Sequence, residues 1–364
     1  MDVNTDRTRN PTGTELRDPA PVGAAALSAA GKSVERGGKI GVLLLNLGTP
    51  DATDYRSMRR YLAEFLSDRR VIETSRAIWY PVLYGIILTT RPSRSGANYE
   101  RIWNREKDES PLRTITRGQA ERLADAFRAD DRVVVDWAMR YGTPDVESVL
   151  AGLIAQGCER ILAFPLYPQY AASTTATAND QLYKALMKLR HMPTVRSVPP
   201  YYGDPVYIDA LARSIERHLA ALPFEPELVV ASYHGLPKSY CEKGDPYDRH
   251  CLETTRLLRE RLGWSESRLI TTFQSRFGRE EWLQPYTDET VGKLAHDGVR
   301  SIAVVNPGFS ADCLETLDEI GREVRDEFLH AGGANFSHIP CLNDSDEGMA
   351  VIEAVVRREL GGWI

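Results

Sequence analysis

From residue 40 onward, short apolar runs alternate with longer amphipathic stretches. Eight of the runs have the length of buried strands: 40–47, 132–137, 160–166, 194–198, 228–233, 268–273, 301–305 and 336–340. Between most of them lie segments whose apolar residues recur at helical spacing, such as 145–155, 207–220, 254–262 and 287–296. Strand alternating with helix predicts an α/β fold of parallel sheets covered by helices.

The spacing of the runs divides the chain. Strand starts at 228, 268, 301 and 336 fall at the even intervals of βαβ units. Starts at 40, 132, 160 and 194 repeat that rhythm after a much longer first interval. This predicts two Rossmann-like lobes, each a four-stranded parallel sheet flanked by helices. They occupy 39–200, with an insertion at about 52–110, and 201–364, with a closing helix near 346–360 able to pack on either lobe. Parallel sheets bind ligands at the carboxyl ends of their strands. Residues after the first and third strand of each lobe should therefore line a shared cleft: 46–50 and 167–170 from one, 234–237 and 309–315 from the other.

Two of those positions carry chemistry. After the 302–305 run and the turn at Asn306-Pro307-Gly308, helical spacing places Leu314, Leu317, Ile320, Val324 and Phe328 on one face. Glu315, Glu319, Arg322, Glu323 and Asp326 gather on the other. This acidic row is either a solvated face opened by an Asp312-x-x-Glu315 capping box, or a set of carboxylates facing a ligand. His234 closes the run LVVASYH and is either a turn-capping core histidine or a metal and proton-transfer group. In the first half, Arg91, Arg94, Tyr99, Arg101 and Trp103 form a surface basic run or a seat for a flat, apolar anion. Ser173-Thr174-Thr175 suits either an oxyanion or a helix cap. No G-x-G-x-x-G follows any strand, and there is no P-loop.

Composition narrows the classes. Across 364 residues, 42% hydrophobic and 26% charged content is that of an ordinary globular protein, and a net charge of −6 argues against a nucleic-acid partner. Five cysteines without a C-x-x-C pair suit a reducing cytoplasm and give no zinc or iron–sulfur spacing. Residues 1–38 lack apolar periodicity and read as a disordered tail. No stretch reaches the ~20 apolar residues of a membrane span. The segment AIWYPVLYGIILTT, from Ala77 to Thr90, is either a buried helix or an apolar lip that touches a membrane or a greasy ligand.

Six motifs in order resemble the ferrochelatase family: LLLNLGTP (43–50), FPLYPQYAASTTAT (164–177), SYHGLP (232–237), GDPY (244–247), TFQSRFGREEWLQPYTDET (272–290) and PGFSADCLETLDEI (307–320). The resemblance runs from about Gly41 through the closing helix and is greatest to the Gram-negative form. It implies a cytoplasmic lyase that inserts Fe2+ into protoporphyrin IX, releasing two protons, as the last step of haem biosynthesis. It implies that His234 and Glu315 are the catalytic and metal-site pair, with Glu319 further along an iron path. Leu47, Arg91, Tyr99, Ser110, Tyr167, Ser173, Trp282 and Phe309 fall where family members contact the porphyrin. The segment from Ala77 to Thr90 falls on a lip with peripheral contact to the inner membrane. Iron is substrate and no cofactor is required. Some relatives carry a [2Fe–2S] cluster with one cysteine where this chain has Ala172 and others in a C-terminal extension, so no such cluster is expected. Cys313 stands where animal enzymes have histidine. Leu47 replaces the tyrosine of some coproporphyrin-using relatives, which leans the substrate toward protoporphyrin. Two other classes are a chelatase for another metal or tetrapyrrole, and a non-enzymatic haem-binding protein.

Overall fold

The computed structural model describes residues 38–278 and 280–364. The tail expected over 1–38 lies outside these residues apart from Gly38.

Two four-stranded parallel sheets form the frame. One holds β1 (Lys39–Gly48), β2 (Val133–Tyr141), β3 (Cys158–Pro165) and β4 (Thr194–Ser197) in the order β2-β1-β3-β4. The other holds β5 (Leu228–His234), β6 (Leu269–Gln274), β7 (Ser301–Val305) and β8 (Asn335–Ile339) in the order β6-β5-β7-β8. The orders are equivalent, so the internal repeat read from the spacing is real. The apolar runs explain the central places of β1, β5 and β7: Ile40 and Val42–Leu45, Leu228–Tyr233 and Ser301–Val305 are buried on both faces, as interior parallel strands require. In each sheet the strand order reverses beside the first strand, between β1 and β3 and between β5 and β7. These two switch points hold the predicted cleft positions.

The long first interval is helical. Between β1 and β2 the chain forms helices over Tyr55–Ser67, Arg76–Val82, Leu88–Ile102 and Pro111–Ala126, the second and third joined by a π-helical turn at Leu83–Ile87. Asp54 caps the first helix by accepting from the Arg56 and Ser57 amides at 2.8 and 3.2 Å. A buried charge cluster fastens this insertion to the sheet. Asp68, at the end of the first helix, accepts from Arg140 Nη2, Thr177 Oγ1 and, at 2.9 Å, the Tyr141 hydroxyl. Gly48 is needed at the turn leaving β1, because its φ is 112° and a Cβ there would lie 1.9 Å from the Tyr141 carbonyl oxygen.

Two boundaries differ from the pattern. The helix expected over 254–262 begins at Tyr247, because its first buried positions are Tyr247, Cys251, Thr254 and Thr255, too polar to register as an apolar stripe. The closing helix, Asp346–Glu359, does not choose one lobe: it packs on Pro111–Ala126 and on Pro205–Ala221. Its far end ties to the first sheet through Arg160 Nη1 and the Trp363 carbonyl, 2.9 Å apart. One hydrophobic cluster accordingly runs from Leu44 and Phe164 in the first sheet to Val229 and Tyr233 in the second. Hydrogen bonds from Ser310 Oγ to the Leu166 carbonyl (2.8 Å) and from Gln169 Nε2 to Thr254 Oγ1 (3.0 Å) join the sheets near their carboxyl ends.

Candidate active site

His234 is the last residue of β5 and is half-buried. Its Nδ1 lies 2.7 Å from the Gly235 carbonyl oxygen. A carbonyl only accepts, so Nδ1 carries the proton and Nε2 is the basic nitrogen of the neutral ring. Gly235 permits this placement by close approach: a Cβ there would meet the Gln274 carbonyl at 2.6 Å and the Trp282 ring at 3.0 Å. The Phe309 ring, from the loop after β7, has its centroid 6.5 Å from that of His234.

The acidic row is not on an α-helix. Residues Glu315–Val324 form a π-helix that continues into the α-helix Arg325–His330. A π-helix closes its bonds at i+5, so its turn is wider than 3.6 residues and side chains four apart are aligned differently than on an α-helix. Glu315, Glu319 and Glu323 are spaced in that way. The capping box read from Asp312-x-x-Glu315 is absent. Asp312 is buried, and its carboxylate instead accepts from Thr316 Oγ1 at 2.8 Å and Asn343 Nδ2 at 2.7 Å. Asp318 is also buried, held by Arg322 at 2.6 Å and, from the insertion, by Arg101 at 3.2 Å. Glu323 is exposed and pairs with Arg322 at 2.7 Å.

Glu319 sits at the centre of the row. Its carboxylate accepts from the Ser275 amide at 2.8 Å, from Ser275 Oγ, and from Gln274 Nε2 at 3.3 Å. Ser275 adopts φ 64°, a left-handed conformation uncommon for a non-glycine residue, and this places both its donors on Glu319. Burial raises the Glu319 carboxyl above the ordinary carboxylate range, aided by the Glu315 charge, while Ser275 and His234 pull it down. Glu319 therefore senses both the imidazole and the neighbouring carboxylate. The charge of Glu315 also adds to burial in raising Tyr99 and Tyr61 in the insertion and Cys313 next to it. Among the described residues no three His, Cys, Asp or Glu side chains converge as a closed metal cage. Glu315, Glu319 and Glu323 instead stand in a row along the π-helix. A cavity of about 720 Å³ lies beside it, lined by Gln274, Ser275, Glu319, Glu323 and Glu327 among others.

The other expected residues fall into three groups. Leu47 at the end of β1, Tyr167 after β3 and Ser173 in the π-turn Ala172–Ala176 are half-buried at the first sheet's switch point. The Tyr167 hydroxyl is buried and unpartnered. Arg91 is exposed on the insertion, its guanidinium 4.8 Å from the centroid of Phe277 in the second lobe, and Trp282 donates to the Phe277 carbonyl at 2.8 Å. Tyr99 and Ser110 are buried instead. Tyr99 packs edge-on against Tyr61 and Trp103, and Ser110 caps the Pro111–Ala126 helix by accepting from the Arg113 amide at 3.2 Å. In the segment from Ala77 to Thr90, Trp79, Leu83 and Leu88 are buried while Ile78, Tyr80, Val82, Tyr84 and Ile86 are exposed. The segment is thus buried on one side and presents exposed apolar side chains on the other. No helix among the described residues is long and apolar enough to cross a membrane. Gln274, Ser275, Asp318 and Tyr61 were not anticipated. The signals for the first two were their place directly after a buried run and inside the motif at 272–290.

The fold is that of the chelatases. SirB from Bacillus subtilis, solved with Fe3+, aligns over 89% of this chain and 96% of its own, at TM-score 0.52 and 15% identity. A multi-domain Deinococcus radiodurans protein described as structurally similar to chelatases aligns over 88% of this chain and 55% of its own, at TM-score 0.51 and 12% identity. Sequence goes further. The chain belongs to the ferrochelatase family, whose model matches residues 39–360. It is 70% identical to the ferrochelatase of Mesorhizobium japonicum over 94% of this chain and 96% of that one. It is 69% identical to that of Brucella ovis over 90% and 93%. It is accordingly a metal chelatase, a lyase of haem biosynthesis acting on a porphyrin and iron.

Proposed function

We propose that the chain inserts Fe2+ into protoporphyrin IX at the cleft between the two switch points, with His234 and Glu315 as the central pair. The observation that carries this reading is geometric: His234 at the end of β5, with Nδ1 2.7 Å from the Gly235 carbonyl, pairs in register with Gln274 of β6, whose amide donates to the Glu315 carbonyl at 2.9 Å and to the Glu319 carboxylate at 3.3 Å. The lobes that enclose the cleft span about 39–200 and 201–364, with the insertion at 52–110.

The porphyrin core carries two N–H protons, and its lone pairs are poorly presented to a metal while the ring is flat. Gripping and bending the macrocycle draws on binding energy from the ring body and its propionates. Leu47, Tyr167, Ser173, Trp282 and Phe309 offer apolar and hydroxyl surface for this, and Arg91 a guanidinium for a carboxylate. Tyr99 and Ser110, both buried, act on the porphyrin indirectly by supporting the wall. His234 Nε2 and Glu315 take up the pyrrole protons as Fe2+ exchanges its ligands for four nitrogens. Two protons leave for each iron inserted, so charge balances. Glu319 passes the ion toward the pair. An open donor series suits an ion that must leave again, whereas a closed cage would retain it.

The exposed row of Ile78, Tyr80, Val82, Tyr84 and Ile86 supports a peripheral contact of this cytoplasmic enzyme with the inner membrane. Replacing Ile78 and Ile86 by Ser should abolish flotation with vesicles of bacterial lipid; unchanged flotation removes the lip from that role. No [2Fe–2S] cluster is part of the proposal, and iron–sulfur absorbance in purified protein would contradict it. The reaction is tested by loss of free-porphyrin fluorescence on adding Fe2+, repeated with Co2+ and with coproporphyrin. Fastest loss with Fe2+ and protoporphyrin is expected. Preference for Co2+ or coproporphyrin assigns another chelatase, and binding without metallation assigns a carrier.

A further inference from the structure

Three strand ends of the second lobe bear buried polar side chains that are bonded to one another: Ser232 on β5, Gln274 on β6 and Asn306 after β7. Asn306 Nδ2 donates to the Ser232 carbonyl at 3.0 Å and to Gln274 Oε1 at 2.8 Å. Ser232 Oγ donates to the same Oε1 at 2.8 Å. His338, on β8, completes Asn306 by donating from Nε2 to its Oδ1 at 3.1 Å. A carboxamide oxygen that holds two donors has only one sensible orientation, so the direction of Gln274 is fixed by its neighbours. Its NH2 group must face the π-helix. There it donates to the Glu315 carbonyl at 2.9 Å and to Glu319 Oε2 at 3.3 Å.

A side chain that holds both the main chain of one acidic residue and the carboxylate of the next fixes their separation. Buried polar networks rigidify a core only when every member is satisfied, and here each capacity of the Gln274 amide is used. Ser275 adds two donors to Glu319 from the same strand end. Glutamine matters here because it alone among side chains of this length joins an acceptor for Ser232 and Asn306 to a donor for the π-helix.

We propose that Gln274 is a positioning residue for metal transfer, its amide holding the π-helix so that Glu319 stands at a set distance from Glu315. This rests on the reading of Glu319 given above. Steady-state constants are measured for Fe2+ and for protoporphyrin in Gln274→Ala, Gln274→Met and Glu319→Gln, and in Gln274→Ala combined with Glu319→Gln. Gln274→Met keeps the side chain's bulk and loses its hydrogen bonds, which separates their loss from a cavity. The expected result is a KM for Fe2+ raised about tenfold in both Gln274 variants, with the KM for porphyrin unchanged, and a further rise of less than about twofold when Gln274→Ala is added to Glu319→Gln. A merely structural residue would lower the thermal midpoint and act by the same factor in both backgrounds; that outcome overturns the proposal. So does an unchanged KM for Fe2+ in both Gln274 variants while Glu319→Gln is impaired. If Glu319→Gln itself is unimpaired, the reading of Glu319 falls and the proposal with it.

Discussion

The two lobes share a topology and use it differently. At its strand ends the first presents Leu47, Tyr167 and Ser173, apolar or neutral groups, while its most deeply buried ion pair, Asp68 with Arg140, fastens the insertion to the sheet. The second presents His234, Glu315 and Glu319 at the equivalent positions and leaves Glu319 held by neutral donors rather than by a cation. The first lobe offers neutral groups at these positions and the second offers titratable ones. On the proposed reading, the metal and proton groups sit in one lobe, while both lobes contribute to the ligand wall through Leu47, Tyr167 and Ser173 and through Trp282 and Phe309.

The contrast can be broken most sharply at Glu315. Glu315→Gln should lower turnover by a factor on the order of 10² to 10⁴ while porphyrin affinity, from fluorescence titration, stays within about twofold. A loss of affinity instead would mean that Glu315 itself helps to hold the porphyrin. In the first lobe the largest effect should be on stability. Arg140→Met leaves Asp68 buried without its cation and should cost about 3–5 kcal/mol in urea unfolding, with turnover of the remaining folded enzyme nearly intact. The smallest effect has the opposite sign. Because burial raises Glu319, the folded state holds its proton more tightly than the unfolded chain, and stability falls as pH rises from the ordinary carboxylate range through the raised value. Glu319→Gln should therefore raise the melting temperature by roughly 2 °C at pH 8, and the gain should shrink on acidification toward pH 4. An equal gain at both pH values would show that the charge of Glu319 is not what strains the fold.

Much of this was legible in the chain. Eight buried runs at regular spacing were enough for two parallel sheets, because interior parallel strands must be apolar on both faces, and the switch points then indicated where ligand chemistry belongs. His234 and Glu315 were proposed from position as well as from resemblance. The π-helix was not legible, since Leu314, Ile320 and Val324 satisfy a helical stripe, and the contacts that Gln274 and Arg101 make with it come from residues distant in sequence. Nor could the pattern show that Ser110 and Tyr99 are buried, because burial there depends on how the insertion folds against Tyr61 and Trp103. The Ser275 conformation is likewise a tertiary outcome, imposed where the strand end meets Glu319.

The central claim is that the imidazole at the end of β5 belongs to the metallation step and not to porphyrin binding. His234→Ala mixed with protoporphyrin and then with Fe2+ under anaerobic conditions tests it in one trace. The account predicts normal binding of the porphyrin and no decay of its fluorescence after iron is added. Decay at the wild-type rate would contradict it.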